Sequence, residues 1–131
     1  MQKTLLVITA LSGILAVTLG AFGAHGLEQY FSTYPKGLHM WEKAVQYQVY
    51  HTLAIFMCYL FVRKENVSFI RNAGLCFALG ILFFSGSLYL LATHPLTGIP
   101  TSVIGPITPI GGFFFIIGWG LVLVQALKNN D

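Results

Sequence analysis

Four long apolar runs alternate along the chain with short polar stretches, and this alternation sets the expected elements. The runs cover about residues 5–23, 44–62, 73–92 and 110–127. A helix of about 20 apolar residues crosses a hydrocarbon layer roughly 30 Å thick. Backbone polar groups inside lipid must be satisfied within the segment, so each run is read as a helix. The alternating ten-residue strands of a membrane barrel are not seen. The pattern predicts an all-α membrane protein: one transmembrane domain over residues 1–131, folded as an antiparallel four-helix transmembrane bundle.

Between the first two runs, Leu27, Tyr30, Phe31 and Tyr34 recur at helical spacing. This predicts a short interfacial helix, lying in the headgroup region and ended by Pro35 and Gly37. Between the last two runs, the uncharged segment 93–109 carries Pro95, Pro100, Pro106 and Pro109. It is expected to fold back onto the mouth of the bundle, with a re-entrant course left open. The first run also has features of a signal peptide, with Lys3 before it and Ala21-Phe22-Gly23 near its end. Its apolar length exceeds the 7–15 residues usual for a cleaved signal, so it is expected to remain as a span.

Composition narrows the class. Charged residues make up 8% of the 131 positions and apolar ones 56%, with a mean hydropathy of +0.75. Average soluble domains carry about 25% charge, so a cytosolic enzyme and a disordered chain are excluded as leading readings. The net charge of +3 rests on 7 basic against 4 acidic residues. That excess is too small for a nucleic-acid footprint and serves instead as an orientation signal. No charged side chain stands between Arg71 and Lys128, or between Lys3 and Glu28. Lys3, Arg63, Lys64, Arg71 and Lys128 share one side, against Lys36 and Lys43 on the other. The bias predicts a multi-pass protein of the cell (inner) membrane with both termini cytoplasmic.

Polar residues inside the spans are the candidate chemistry. On a helix starting near His39, the residues Glu42, Lys43, Gln46, Tyr47, Tyr50 and His51 fall within half the circumference, while Gln48 points the other way. Depth along the antiparallel third span brings His51 level with Ser85, and Tyr47 level with Tyr89. The expected polar cluster is therefore Gln46, Tyr47, His51, Ser85 and Tyr89 in the outer half, with His25, Glu42 and Thr108 as outer-loop candidates. The inner half, around Phe56, Leu60, Leu75 and Leu79, is almost wholly apolar, which argues against a channel or proton pump.

The remaining motifs are weaker. Ser12, Ala16, Gly20 and Ala24 form a ridge of small residues that lets another backbone approach, from the same chain or from another copy. A Ser85–His51 nucleophile pair would need an orienting acid, and Glu42 is too far along its helix to serve. The spacing of His25, His39, His51 and His94 fits no metal or haem motif, and no cofactor is implied. Cys58 and Cys76 form no CxxC and no disulfide framework. The two helical pairs do not mirror each other, so an inverted-repeat transporter is not supported. The first span also lacks the carboxylate that drug exporters of this size place there.

Four segments carry a resemblance. Gly20-Ala21-Phe22-Gly23-Ala24-His25-Gly26-Leu27, Ala44-Val45-Gln46-Tyr47-Gln48-Val49-Tyr50-His51, Phe84-Ser85-Gly86-Ser87-Leu88-Tyr89 and Gly105-Pro106-Ile107-Thr108-Pro109-Ile110-Gly111-Gly112 stand in order along the chain. They resemble the motifs of the YgdD/YwdK-like family of small four-span membrane proteins. The resemblance implies a four-helix inner-membrane protein and brings no catalytic residues, because that family is uncharacterised. The expected function is a non-enzymatic membrane module whose outer-half cluster binds a lipid headgroup, a small ligand or a partner helix. A small oligomeric transporter or permeation subunit is the alternative. Expected partners are membrane lipids and a second copy held through the small-residue ridge.

Overall fold

The computed structural model describes residues 2–65 and 67–128. The chain order is α1 (Gln2–Ala21), a π-helical turn (Phe22–Gly26), α2 (Glu28–Thr33) and α3 (Pro35–Glu65). It continues with α4 (Ser68–Gly80), a second π-helical turn (Ile81–Ser85), α5 (Gly86–Thr97), α6 (Thr101–Ile104) and α7 (Ile107–Lys128). No strand occurs among the described residues. Four helical stretches, Gln2–Gly26, Pro35–Glu65, Ser68–Thr97 and Thr101–Lys128, are long and apolar enough to cross a membrane.

All four are longer than the apolar runs, because polar residues flanking each run continue the helix. α3 shows this most clearly. Tyr34 separates it from α2 with an extended backbone, φ −137° and ψ 70°. A residue before proline is pushed out of the α region, and proline itself fits the first helical position. The expectation that Pro35 and Gly37 end the interfacial helix is therefore corrected. Tyr34 breaks the chain, Pro35 starts α3, and Gly37 is buried inside it. A side chain at Gly37 would run into the Tyr34 ring and lie 2.9 Å from the Ala92 carbonyl oxygen.

The proline-rich segment is also more helical than its prolines suggest. α5 runs through Pro95 to Thr97, and Gly98 caps it in the left-handed conformation at φ 72°. Such a cap costs least at glycine. α6 then turns the chain back, with Ile104 buried.

Two packing centres hold the spans together. The larger joins Leu5 of α1, Ile55, Cys58 and Val62 of α3, Ile70, Ala73 and Phe77 of α4, and Phe115 of α7. The smaller joins Phe31 of α2, Trp41 of α3 and Ala92 of α5. α3 and α4 are central, with α1 packed on α3 and α7 on α4.

The α4–α7 seam is built from glycines and phenylalanines in reciprocal register. Phe77 covers Gly118, Phe115 covers Gly80, and Gly111 lies on the backbone of Phe84. Without a strong hydrophobic drive between helices in lipid, close approach through small residues supplies the contact energy. Lipid-facing residues such as Leu11, Ile14, Val17, Phe113 and Ile116 are correspondingly exposed.

The two ends of the bundle differ. Gln2 Nε2 donates to the Val62 carbonyl oxygen, and the Lys128 ammonium sits over the Phe69 ring. The start of α1, the end of α3, the start of α4 and the end of α7 therefore share one end, here the terminal end. The opposite, distal end carries α2, the start of α3 and α6.

Candidate functional site

The interior polar residues make a network of hydrogen bonds between helices. At its centre is Gln48, half a turn away from the expected polar face. Gln48 Nε2 donates to the Ser12 carbonyl oxygen at 3.1 Å and approaches Ser12 Oγ at 3.4 Å. Its Oε1 accepts from the Tyr89 hydroxyl at 2.7 Å. The Thr52 hydroxyl donates to the Gln48 carbonyl oxygen at 2.6 Å. Its single hydrogen is then committed, so Ser12 must be the donor in the 2.6 Å Ser12–Thr52 bond. One glutamine thus ties α1, α3 and α5.

The expected five residues divide among separate contacts. Ser85 is buried, and its hydroxyl donates to the Ala44 carbonyl oxygen at 2.8 Å. The second π-helical turn delivers it there. Gly86 N–H reaches back five residues to the Ile81 carbonyl, and such a widened turn rotates everything after it. Tyr89 belongs to Gln48, with its ring edge-on to Trp41 at 4.7 Å.

His51 turns toward α7. Its ring stacks on Phe115 with centroids 3.5 Å apart and planes within 9°. Nδ1 lies 2.8 Å from the Tyr47 carbonyl oxygen, which can only accept, so Nδ1 carries the hydrogen. Nε2 is then an acceptor, and Trp119 Nε1 donates to it at 3.3 Å. Tyr47 packs its ring on Phe84 at 4.7 Å. His51 and Ser85 therefore have separate partners, and a nucleophile–base pair is not assembled.

Thr108 pairs with Ser87 at 2.6 Å, while the Ser87 hydroxyl donates to the Phe84 carbonyl oxygen. His25 is exposed in the first π-helical turn. Among the described residues, no buried side-chain polar atom lacks a partner. Each interior group is engaged within the chain.

The ridge is occupied within the chain over its first part, while Ala24 at its end is exposed. Ser12 and Ala16 are buried, with Ser12 bonded to α3, and Gly20 stands 3.5 Å (from an added Cβ) from Val45 Cγ1. Trp41 Nε1 crosses from α3 to donate to the Leu19 carbonyl oxygen at 2.9 Å, and its ring lies where a side chain at Gly23 would go.

Beside this contact, at the distal end, a cavity of about 520 Å³ opens between α1 and α3. Gly20, Gly23 and Ala24 form one wall and Trp41 and Val45 the other; His39, Glu42, Lys43 and Gln46 supply its polar groups. Lys43 Nζ donates to Gln46 Oε1 at 3.1 Å, and Gln46 Nε2 donates to the Tyr50 hydroxyl at 2.7 Å. Of the expected residues, only Gln46 and Glu42 line this cavity. His39 and Lys43 join them, placed by the same helical spacing. Nearby, the Tyr30 hydroxyl donates to the Ala92 carbonyl oxygen at 2.9 Å. Burial, and then the neighbouring Tyr34, raise the Tyr30 phenol above its ordinary pKa.

Four membrane-crossing helices, an internally bonded polar interior and an open polar cavity at one end define a small four-span helical membrane protein. The chain belongs to the family described as Protein of unknown function (DUF423), which matches residues 19–112. It is similar along its length to a UPF0382 membrane protein of Staphylococcus epidermidis, 44% identical over 127 residues, covering 97% of this chain and 98% of the relative. It is 40% identical over 128 residues to the UPF0382 membrane protein YwdK of Bacillus subtilis, covering 97% and 98%. The UPF0382 inner membrane protein YgdD of Escherichia coli is 36% identical over 128 residues, covering 97% and 92%. The resemblance carried by the four sequence segments is thereby shown. No solved structure matches the chain.

Proposed function

We propose that this protein is a non-enzymatic membrane module that holds a phospholipid headgroup in the distal cavity between α1 and α3. The observation that carries this reading is the lining itself. An ammonium at Lys43 and a carboxylate at Glu42 share the lining with the small residues Gly20 and Ala24. A zwitterionic headgroup matches that pair, with its phosphate on Lys43 and its amine on Glu42. Trp41, Tyr30 and Tyr34 surround the same end, as aromatic residues do at the membrane boundary. The buried set around Gln48, His51 and Ser85 fixes the bundle in this reading, since its bonds are already made.

Lys3, Arg63, Lys64, Arg71 and Lys128 all lie toward the terminal end, which this reading makes cytoplasmic. The distal cavity then opens to the outer leaflet of the cell membrane. The name of the Escherichia coli relative, an inner membrane protein, supports the choice of membrane.

Native mass spectrometry of the protein extracted with its lipids tests the proposal and reports the oligomeric state together. The expected result is one retained zwitterionic phospholipid per chain, lost in the double variant Lys43→Gln, Glu42→Gln. Equal lipid retention by wild type and double variant would overturn it, as would a wild type that carries no phospholipid.

A further inference from the structure

A second cavity, of about 420 Å³, lies at the opposite end of α3 and on a different face. α3 and α7 both pack on α4 and leave a cleft between them. Met57 and Phe61 line one side, Trp119 and Val122 the other, and Phe77 the back. Its upper end is closed where Trp119 donates to His51 and packs on Phe77 with centroids 5.0 Å apart. Glu65, at the terminal end of α3, is the only charged side chain in the lining; its neighbours Arg63 and Lys64 are not part of it.

We infer that this cleft is a binding site for a single alkyl chain whose head carries an ammonium group. The volume lies in the range of small-molecule sites, about 300–1,000 Å³. From Ala54 to Glu65 the cleft follows α3 for about 17 Å at 1.5 Å per residue. That is close to one leaflet, half of a hydrocarbon layer about 30 Å thick. A partner helix is too thick to be the occupant: at 10–12 Å across, the same length of helix fills more than about 1,000 Å³. An extended alkyl chain has the right cross-section and meets apolar walls throughout. The Glu65 carboxylate at the terminal end then selects a cationic head over an anionic one. The inference does not depend on the distal headgroup site, which shares no lining residue with this cleft.

Photolabelling of the full chain in proteoliposomes tests it. The probe is dodecylamine with a diazirine at its far end, and dodecanoic acid with the same diazirine is the comparison. Adducts from the amine are expected on segments 54–61 and 119–126, about fivefold above those from the acid, the upper range of an exposed ion pair. Ala126→Trp, made at an exposed position, fills the cleft and should remove these adducts. Glu65→Gln, also exposed, should bring amine and acid to equal labelling while leaving the adduct positions unchanged. Competition by a lysophosphatidylethanolamine would identify an aminophospholipid as the source, and its failure to compete would identify a free amine; either agrees with the site. Labelling spread equally over Leu11, Ile14 and Val17 of α1 would overturn the inference. So would equal labelling of the wild-type cleft by amine and acid.

Discussion

Replacing Gly111 by alanine tests the α4–α7 seam most directly. An added Cβ would stand 2.6 Å from both Cα and Cβ of Phe84 and closer still to its backbone nitrogen, where ordinary contact begins at 3.4 Å. These are backbone-anchored atoms in a π-helical turn, so no flexible side-chain end can yield. α7 must retreat by about 1 Å, and overpacking of this kind costs about 1–3 kcal/mol. The retreat also pulls Phe115 away from the His51 ring and Trp119 away from its acceptor, so the expected loss is toward the upper part of that range. Gly112→Ala is the control, because its nearest neighbour, Phe84 Cδ2, is 3.9 Å from the added carbon. Alanine favours a helix interior over glycine by about 1 kcal/mol, so the control should be neutral or slightly stabilised. SDS-induced unfolding in detergent, followed by circular dichroism, measures both. Equal stability of Gly111→Ala and wild type, or equal damage from both substitutions, would refute the seam geometry.

A double-mutant cycle of Gln48→Leu and Tyr89→Phe should return a coupling of about 0.6 kcal/mol, bounded by roughly 1.7 kcal/mol for hydrogen bonds in membrane bundles; Gln46→Leu paired with Tyr89→Phe should return none. His51→Leu should destabilise more than Trp119→Phe in the same unfolding assay, because it loses the Phe115 stack and the Tyr47 bond along with the Trp119 bond. Tyr30 gives a pH dependence. Its phenol is raised in the folded state, so its contribution is complete below the ordinary tyrosine pKa of about 10 and falls as pH rises above it. Unfolding curves across about pH 9–11 should show that loss in the wild type, and Tyr30→Phe should flatten it.

The spans, their order and the interfacial helix were legible because apolar runs and helical spacing are local properties. The polar interior was only partly legible, for two physical reasons. First, a helix has two faces, and the number of polar residues on a face does not decide which of them turn inward. Gln46 and Lys43 face the distal cavity, while Gln48 faces α1. The small residues at Ser12 and Ala16 were the available signal, since a ridge that admits a close neighbour marks where an opposing polar group must find its partner. Second, each π-helical turn inserts a local change of phase that regular spacing does not register. Ser85 is the last residue of the widened turn Ile81–Ser85 and bonds the Ala44 carbonyl oxygen, so equal depth with His51 does not bring the two together. Pro35 depends on context in the same way: the effect of a proline turns on whether it falls before or inside a helix, and here it opens α3.

The reciprocal glycine–phenylalanine seam also limits how the molecule can move. Sliding α7 along α4 by one turn would set Phe115 against Phe77 and leave Gly80 and Gly118 without rings to receive. The seam therefore acts as a latch against piston motion, and packed elements that have two arrangements must reach the second another way. Any working motion of these helices has to come from tilting or from separation at the α3–α7 cleft, with α4 and α7 travelling as one body.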